Sequence, residues 1–245
     1  MSNVRLGIDI GGSGIKGALI DLDKGDLVGE RIKLDTPQPS VPEAVGQAVA
    51  TVVRGFGYDG PVGIGFPSVV VAGEVSTAMN IDPAWIGANT IDVFASATGL
   101  EVAVVNDADA AALCEARYGV AQKQSGHVIV LTFGTGIGSG FLVDGHLVPN
   151  VELGMLELDG YAPAEVHFSA KARSREDLSW AEWGTRANRY LGHVARVFTP
   201  ELIAISGGVA RKWDMWHEYI DSALPVVRAA RANNAGIIGA ATLVG

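Results

Sequence analysis

Asp9 and Lys16 stand seven residues apart in GIDIGGSGIKG, Gly7–Gly17, and half of the residues between them are glycine. An acid, a base and a run of backbone N–H groups unobstructed by side chains is a combination suited to an anion. Such N–H groups form anion-binding concavities, and a lysine adds a point charge that suits phosphate. A second stretch, LTFGTGIGSGFLVD (131–144), superposes on IDIGGSGIKGALID (8–21) without a gap. Gly11 meets Gly134, Gly17 meets Gly140 and Asp21 meets Asp144. Ser13, Thr132 and Thr135 add hydroxyls to the two loops. Taken together, Gly11, Gly12, Gly134 and Gly136 with Lys16 and Asp9 point to a phosphate clamp. Asp9 is also an oxygen ligand for Mg²⁺, usually through water, because hard cations prefer oxygen.

Three further groups carry candidate chemistry. Asn106-Asp107, with Asp109 just beyond, lies where an apolar run ends and an alanine-rich helix begins. Asn and Asp are favoured N-caps, which accounts for one of the three. A carboxylate there can also orient and deprotonate an attacking hydroxyl, and a helix N-terminus favours its ionised form. Phosphoryl transfer tolerates so weak a base, since it depends mainly on positioning. Glu152, Glu157 and Asp159 cluster in VELGMLELDG, and Glu165 follows. They fit sugar-hydroxyl contacts, glycoside hydrolysis, metal binding or a solvated face, and spacing does not choose among these. SGGVARK, with Gly207, Gly208 and Lys212, follows a strand and fits either a nucleotide contact or a plain turn.

The elements around these residues limit the reading. VRLGIDI reads as a buried strand. After the glycines come ALIDL, a Lys24-Gly25-Asp26 turn and LVGERIKL, which is a hairpin. The dinucleotide fingerprint G-x-G-x-x-G needs a helix at that point, and the P-loop needs Gly-Lys-Ser/Thr at an offset absent here. Both are rejected. PEAVGQAVATVV has helical apolar spacing, as do SWAEWGTRANRYLGHVARVF and the C-terminal AGIIGAATLVG, whereas ELIAISGG reads as strand and turn. The repeated glycine hairpin, occurring twice, indicates two similar domains rather than a solenoid.

Composition narrows the class. The 245 residues carry a formal net charge of -9, with 48% hydrophobic and 18% charged residues. A sizeable core is expected, and broad nucleic-acid binding is not. One cysteine, Cys114, rules out an internal disulfide and a cysteine-rich zinc site. No apolar run approaches a membrane span, and the chain opens directly into a strand-like segment. The expectation is a cytoplasmic protein.

With those residues in view, the chain resembles the ROK family of sugar kinases, and within it the branch of polyphosphate glucokinases and polyphosphate/ATP glucomannokinases. The resemblance rests on GIDIGGSGIKG, TPQP, VVNDADAAALCEARYG, LTFGTGIGSGFLVDGHLVPNVELG, LELDG, EDLSW, SGGVARK and NNAGIIGAA, in that order. It implies an α/β, actin-like fold of two RNase H-like domains with a cleft between them, often as a homodimer. The expected division is residues 1–108 and 109–245, with a C-terminal helix at about 236–245 returning to the first domain. By resemblance, Asp9, Gly11, Gly12, Ser13, Lys16, Thr132, Gly134, Thr135 and Gly136, with Gly207, Gly208 and Lys212, lie around the phosphate donor, polyphosphate or ATP with Mg²⁺. Asp107 matches the catalytic base, and Asn80, Asn106, Glu152 and Glu165 match glucose contacts.

Two departures bear on function. The family's multi-cysteine zinc motif is absent. Its E-x-G-H sequence reads Glu152-Leu153-Gly154-Met155, so a thioether stands where a sugar-binding histidine is expected. The resemblance therefore implies polyphosphate-dependent phosphorylation of the glucose 6-hydroxyl. The alternatives are an ATP-dependent kinase for mannose or an aminosugar, and a weakly active sugar-binding homologue. A nearby side chain such as His167 is the candidate to replace the missing ring.

Overall fold

The structure is a computed structural model that describes residues 3–231 and 234–245. The chain divides into two compact units, Met1–Cys114 together with Asn234–Gly245, and Glu115–Asn233.

In the first unit, strands β1 (Val4–Ile10), β2 (Ile15–Asp21), β3 (Asp26–Leu34), β4 (Val62–Phe66) and β7 (Val102–Asn106) form a sheet in the order β3-β2-β1-β4-β7. The β1–β2–β3 part is antiparallel, while β4 and β7 run parallel to β1. A minor hairpin, β5 (Val70–Val71) with β6 (Glu74–Val75), stands apart. Successive side chains of a strand point to opposite faces. Leu6, Ile8 and Ile10 of β1 meet Val45, Val49 and Val52 of helix α1 (Pro42–Phe56) in one buried core. Aromatic residues Phe66, Trp85 and Phe94 close that core, the last from helix α2 (Thr90–Thr98).

Gly7 and Asp9 of β1 face the other way, toward the C-terminal helix α7 (Ala235–Ala241). A Cβ on Gly63 would lie 1.8 Å from the carbonyl oxygen of Ala240. Here glycine is required by close approach rather than by backbone angle. Helix α3 (Asp107–Tyr118) follows β7 directly, and Gly239 of α7 packs so tightly on it that a Cβ would fall 1.6 Å from the Ala110 oxygen. The first turns of α3 thus belong with the first unit, and the boundary lies after Cys114 rather than after residue 108.

The second unit repeats the plan. Strands β8 (His127–Phe133), β9 (Ile137–Val143), β10 (His146–Val148), β11 (Leu202–Gly207) and β12 (Val226–Arg228) are ordered β10-β9-β8-β11-β12. Helices α4 (Glu165–Phe168), α5 (Ala170–Arg175) and α6 (Trp180–Phe198) complete it. Ser179 and Glu182 form a capping box at the start of α6. Residues Trp183, Tyr190, Leu191 and Val194 of this helix join Ile129, Leu131, Phe133, Ile203 and Ile205 in the core.

The two glycine hairpins differ in one respect. Ile10 pairs with Ile15 across four loop residues, whereas Phe133 pairs with Ile137 across three. The ungapped superposition therefore holds for the strands but slips by one residue in their pairing. A single residue, Glu115, marks the entry to the second unit. Its buried carboxylate accepts N–H bonds from Val120 (2.9 Å), Ala230 (3.1 Å) and Arg231 (2.9 Å). Among the described residues, no helix is long and apolar enough to cross a membrane.

Candidate active-site residues

In the first unit, the parallel strands β1, β4 and β7 end at one edge of the sheet, where ligands of α/β sheets bind. The turn after β1 is closed by Gly11 N–H to the Gly14 oxygen (2.9 Å), and the Thr36 hydroxyl donates to the Gly11 oxygen (2.6 Å). Gly12 and Ser13 are left exposed at its tip. Asp9 and Lys16 face each other across the hairpin, with Lys16 Nζ donating to Asp9 Oδ2 at 3.4 Å. Burial raises the Asp9 pKa, and the Lys16 charge and hydrogen bond only partly offset it. The Lys16 side chain remains 38% exposed, so its ammonium can reach a ligand as well as Asp9. Asn80 is exposed, and its backbone oxygen lies so near Gly12 that a Cβ there would sit at 3.1 Å.

Asn106 caps α3. Its Oδ1 accepts N–H bonds from Ala108 (2.8 Å) and Asp109 (3.2 Å), and its Nδ2 donates to the Ser68 oxygen (3.2 Å). The cap fixes the first turn of the helix, on which Asp107 is half-buried while Asp109 is fully buried. Of the two acids, Asp107 is thus the one that solvent, and hence substrate, can reach.

In the second unit, the shorter turn is closed by Gly134 N–H to the Gly136 oxygen (3.0 Å), with Gly134 and Thr135 exposed and Thr132 half-buried. Glu165 braces this turn from below, since the Ile137 N–H donates to its Oε2 at 2.9 Å. A Cβ on Gly136 would fall 2.1 Å from that oxygen. Lys171 N–H donates to the Gly134 oxygen (3.0 Å) from α5. Gly207, with φ 77°, lies over the end of β8, and exposed Gly208 and Lys212 follow on the 3₁₀ stretch Gly208–Met215.

Glu152 has its pKa raised, first by burial and then by the negative charge of Glu165. Those two carboxylates are neighbours. Met155 belongs to the 3₁₀ turn Leu153–Met155, and its N–H donates to the Glu152 oxygen (3.1 Å). The Met155 side chain is 46% exposed. Ser139 anchors the turn by accepting the Leu153 N–H (2.8 Å) and donating to the Val151 oxygen.

Other members of the acidic cluster are placed elsewhere. Asp159 is held by Arg189 through two bonds, 2.9 and 2.6 Å, and is a surface ion pair. Glu157 is simply exposed. His167 stacks on Tyr161 at 3.7 Å, and burial lowers its pKa. It lies two residues after Glu165 on α4, about 200° around the helix, and so points away from the Glu165 side. Thr36, Ser139 and Lys171 escaped the sequence reading. Thr36 lies in the TPQP stretch with no role attached, and the other two act through contacts that spacing does not encode.

The sequence model of the ROK family matches residues 5–154. A polyphosphate glucokinase of Mycobacterium tuberculosis (strain ATCC 25618 / H37Rv) is 47% identical over 236 residues, covering 96% of this chain and 89% of that protein. Among solved structures, the inorganic polyphosphate/ATP-glucomannokinase from Arthrobacter sp. strain KM superposes with a TM-score of 0.95 at 45% identity, covering 98% of each chain. A ROK family glucokinase from Streptomyces griseus, solved with glucose and AMPPNP, superposes with a TM-score of 0.85 at 25% identity, covering 98% of this chain and 99% of that one.

Proposed function

The chain belongs to the ROK family, and from that premise we propose that it transfers a phosphoryl group from inorganic polyphosphate, with ATP as a second donor, to the 6-hydroxyl of glucose. The observation that carries this reading is the 47% identity to a polyphosphate glucokinase along 96% of the chain. Its fold is the actin-like one of that family. A coupled assay for glucose 6-phosphate, run separately with polyphosphate and with ATP, tests it. Folded protein that makes none with either donor overturns the proposal.

The assignment of roles follows the geometry. Phosphoryl transfer leaves little covalent chemistry to the protein and depends on positioning and charge. The exposed tips Gly12-Ser13 and Gly134-Thr135 offer N–H groups and hydroxyls to the donor's phosphates, joined by Gly207, Gly208 and Lys212. Asp107 accepts the proton of the attacking 6-hydroxyl. Asn80, Asn106, Glu152, Glu165 and Met155 hold the sugar. Asp9, at the end of β1 beside the first glycine turn, is a single carboxylate of the kind that suits Mg²⁺, which keeps several waters and takes one or two carboxylates plus substrate phosphates. When bound, Mg²⁺ would offset charge on the phosphate oxygens. The same family reading carries a cytoplasmic homodimer, for which light scattering is the check of assembly.

Two expected results follow from these roles. Lys16→Ala raises the KM for both phosphate donors and leaves the KM for glucose within about twofold. A change confined to the glucose KM would mean that the first turn holds the other ligand. Met155→His raises kcat/KM for glucose. An imidazole donates and accepts hydrogen bonds, whereas a thioether is at best a weak acceptor. One or two restored bonds, at about 0.5–1.5 kcal/mol each, correspond to roughly two- to a hundredfold. The native protein is then a kinase of weak or relaxed sugar choice. An unchanged or lower value in steady-state kinetics places the compensating contact elsewhere in the pocket.

A further inference from the structure

Tyr190 lies in the middle of α6 with its side chain fully buried. Its ring packs against Phe133 and Phe168, with centroids 6.0 and 5.7 Å away. Phe133 ends β8 directly before the second glycine turn, and Phe168 ends α4 three residues after Glu165. The same core contains Ile137, whose N–H donates to Glu165, and Leu153, which follows Glu152. The Tyr190 hydroxyl is therefore enclosed by the elements that carry the two neighbouring carboxylates. Among the described residues it has no hydrogen-bond partner.

That is an expensive arrangement. A buried polar group left unsatisfied costs about 1–3 kcal/mol, and phenylalanine would fill the same core without the cost. Local rules broken in this way mark functional sites more often than accidents. Burial first, and then the negative charge of Glu165, lift the Tyr190 pKa well above the ordinary tyrosine value, so the group stays a hydrogen-bond donor. Glu165 commits Oε2 to the Ile137 N–H, and a carboxylate has lone pairs for further donors.

We propose that Tyr190 is a positioning residue whose hydroxyl is the donor reserved for the Glu165 carboxylate, fixing that group when sugar is bound. The inference rests on the reading of Glu165 as a sugar contact. It acts from the core, through Glu165, and does not touch glucose.

A double-mutant cycle tests it, with Tyr190→Phe, Glu165→Gln and the pair, read by the thermal midpoint, by calorimetric glucose binding without donor, and by steady-state kinetics. Tyr190→Phe is expected to keep or raise the midpoint. Its Kd and KM for glucose rise about five- to tenfold, on the scale of one hydrogen bond, with kcat and the donor KM within twofold. In the Glu165→Gln background the same substitution has no further effect. Unchanged glucose affinity in Tyr190→Phe beside a weakened Glu165→Gln overturns the inference and leaves the functional reading standing. A lowered midpoint with unchanged affinity overturns it equally, since the hydroxyl is then structural. Unchanged affinity in Glu165→Gln removes Glu165 from the sugar site, and the inference falls with that assignment. Should Tyr190→Phe fail to fold, ring-fluorinated tyrosine at position 190 keeps the hydroxyl and changes its strength as a donor. The glucose Kd must then move, and a Kd equal to the parent's overturns the inference.

Discussion

Asp107→Asn is expected to lower kcat by about 10²–10⁴-fold, the usual contribution of a positioned general base, with the glucose Kd within a few-fold of the parent. The amide keeps the size of the carboxylate and one acceptor oxygen, so the pocket retains its shape while the proton acceptor is gone. The fold should hold as well. The cap of α3 is made by Asn106, not Asp107, and a first-turn acid contributes only about 0.3–1 kcal/mol through the helix dipole. Rapid-mixing measurement of the first turnover together with calorimetric glucose binding separates the two effects. A variant turning over within a few-fold of the parent would falsify the assignment. Asp109 is a poor substitute candidate, because its side chain is fully buried.

The second large effect is on stability. Gly239→Ala is expected to destabilise the protein by about 3 kcal/mol or more, at or beyond the upper end of ordinary overpacking, and to lower Tm by about 10 °C at this chain length. Two effects oppose each other. Alanine is favoured over glycine in a helix by about 1 kcal/mol. Against that, the new methyl carbon would stand 1.6 Å from the Ala110 carbonyl oxygen. No rotamer relieves that contact, since the neighbour is backbone, so α7 or α3 has to move. Because α3 carries Asp107 at its first position, activity should fall with stability even below the melting range. Thermal unfolding by circular dichroism, beside an assay at low temperature, measures both. A midpoint within 2 °C of the parent would show that α7 can slide.

Much of this plan was legible beforehand. The superposed glycine hairpins pointed to two similar domains, and the two sheets do share one strand order, with the hairpin as the antiparallel half of each. Asn106 is a cap as its residue type suggested. What the sequence hid were the consequences of contact at long range. Gly7 and Gly63 look like weak points in strands until α7 lies against them, more than 170 residues later in the chain. The one-residue slip between the hairpins is invisible because either glycine run can close a turn at three or four residues. Asp159 shared the pattern of the other acids, and only the position of Arg189 assigns it to the surface. Nothing in the spacing singled out Tyr190, which reads as one apolar position among several on α6.

The covering of β1 and β4 by α7 has a consequence for how the molecule is made. On the ribosome, the strands of the first unit emerge early, but the helix that seals their second face follows only after all of Glu115–Asn233 has been synthesised. The second unit is an uninterrupted stretch of chain, and Glu115, at its entry, bonds to the backbone at Ala230 and Arg231 near its exit. It can therefore close as a loop on itself while the first sheet still waits with one face bare. Domains generally fold as units during translation. Synthesis order alone therefore leaves the first sheet without its second layer until the whole second unit has been made. The half that carries Asp9, Lys16 and Asp107 is completed last, and a chain halted short of α7 presents an unfinished sheet to the cell's quality control.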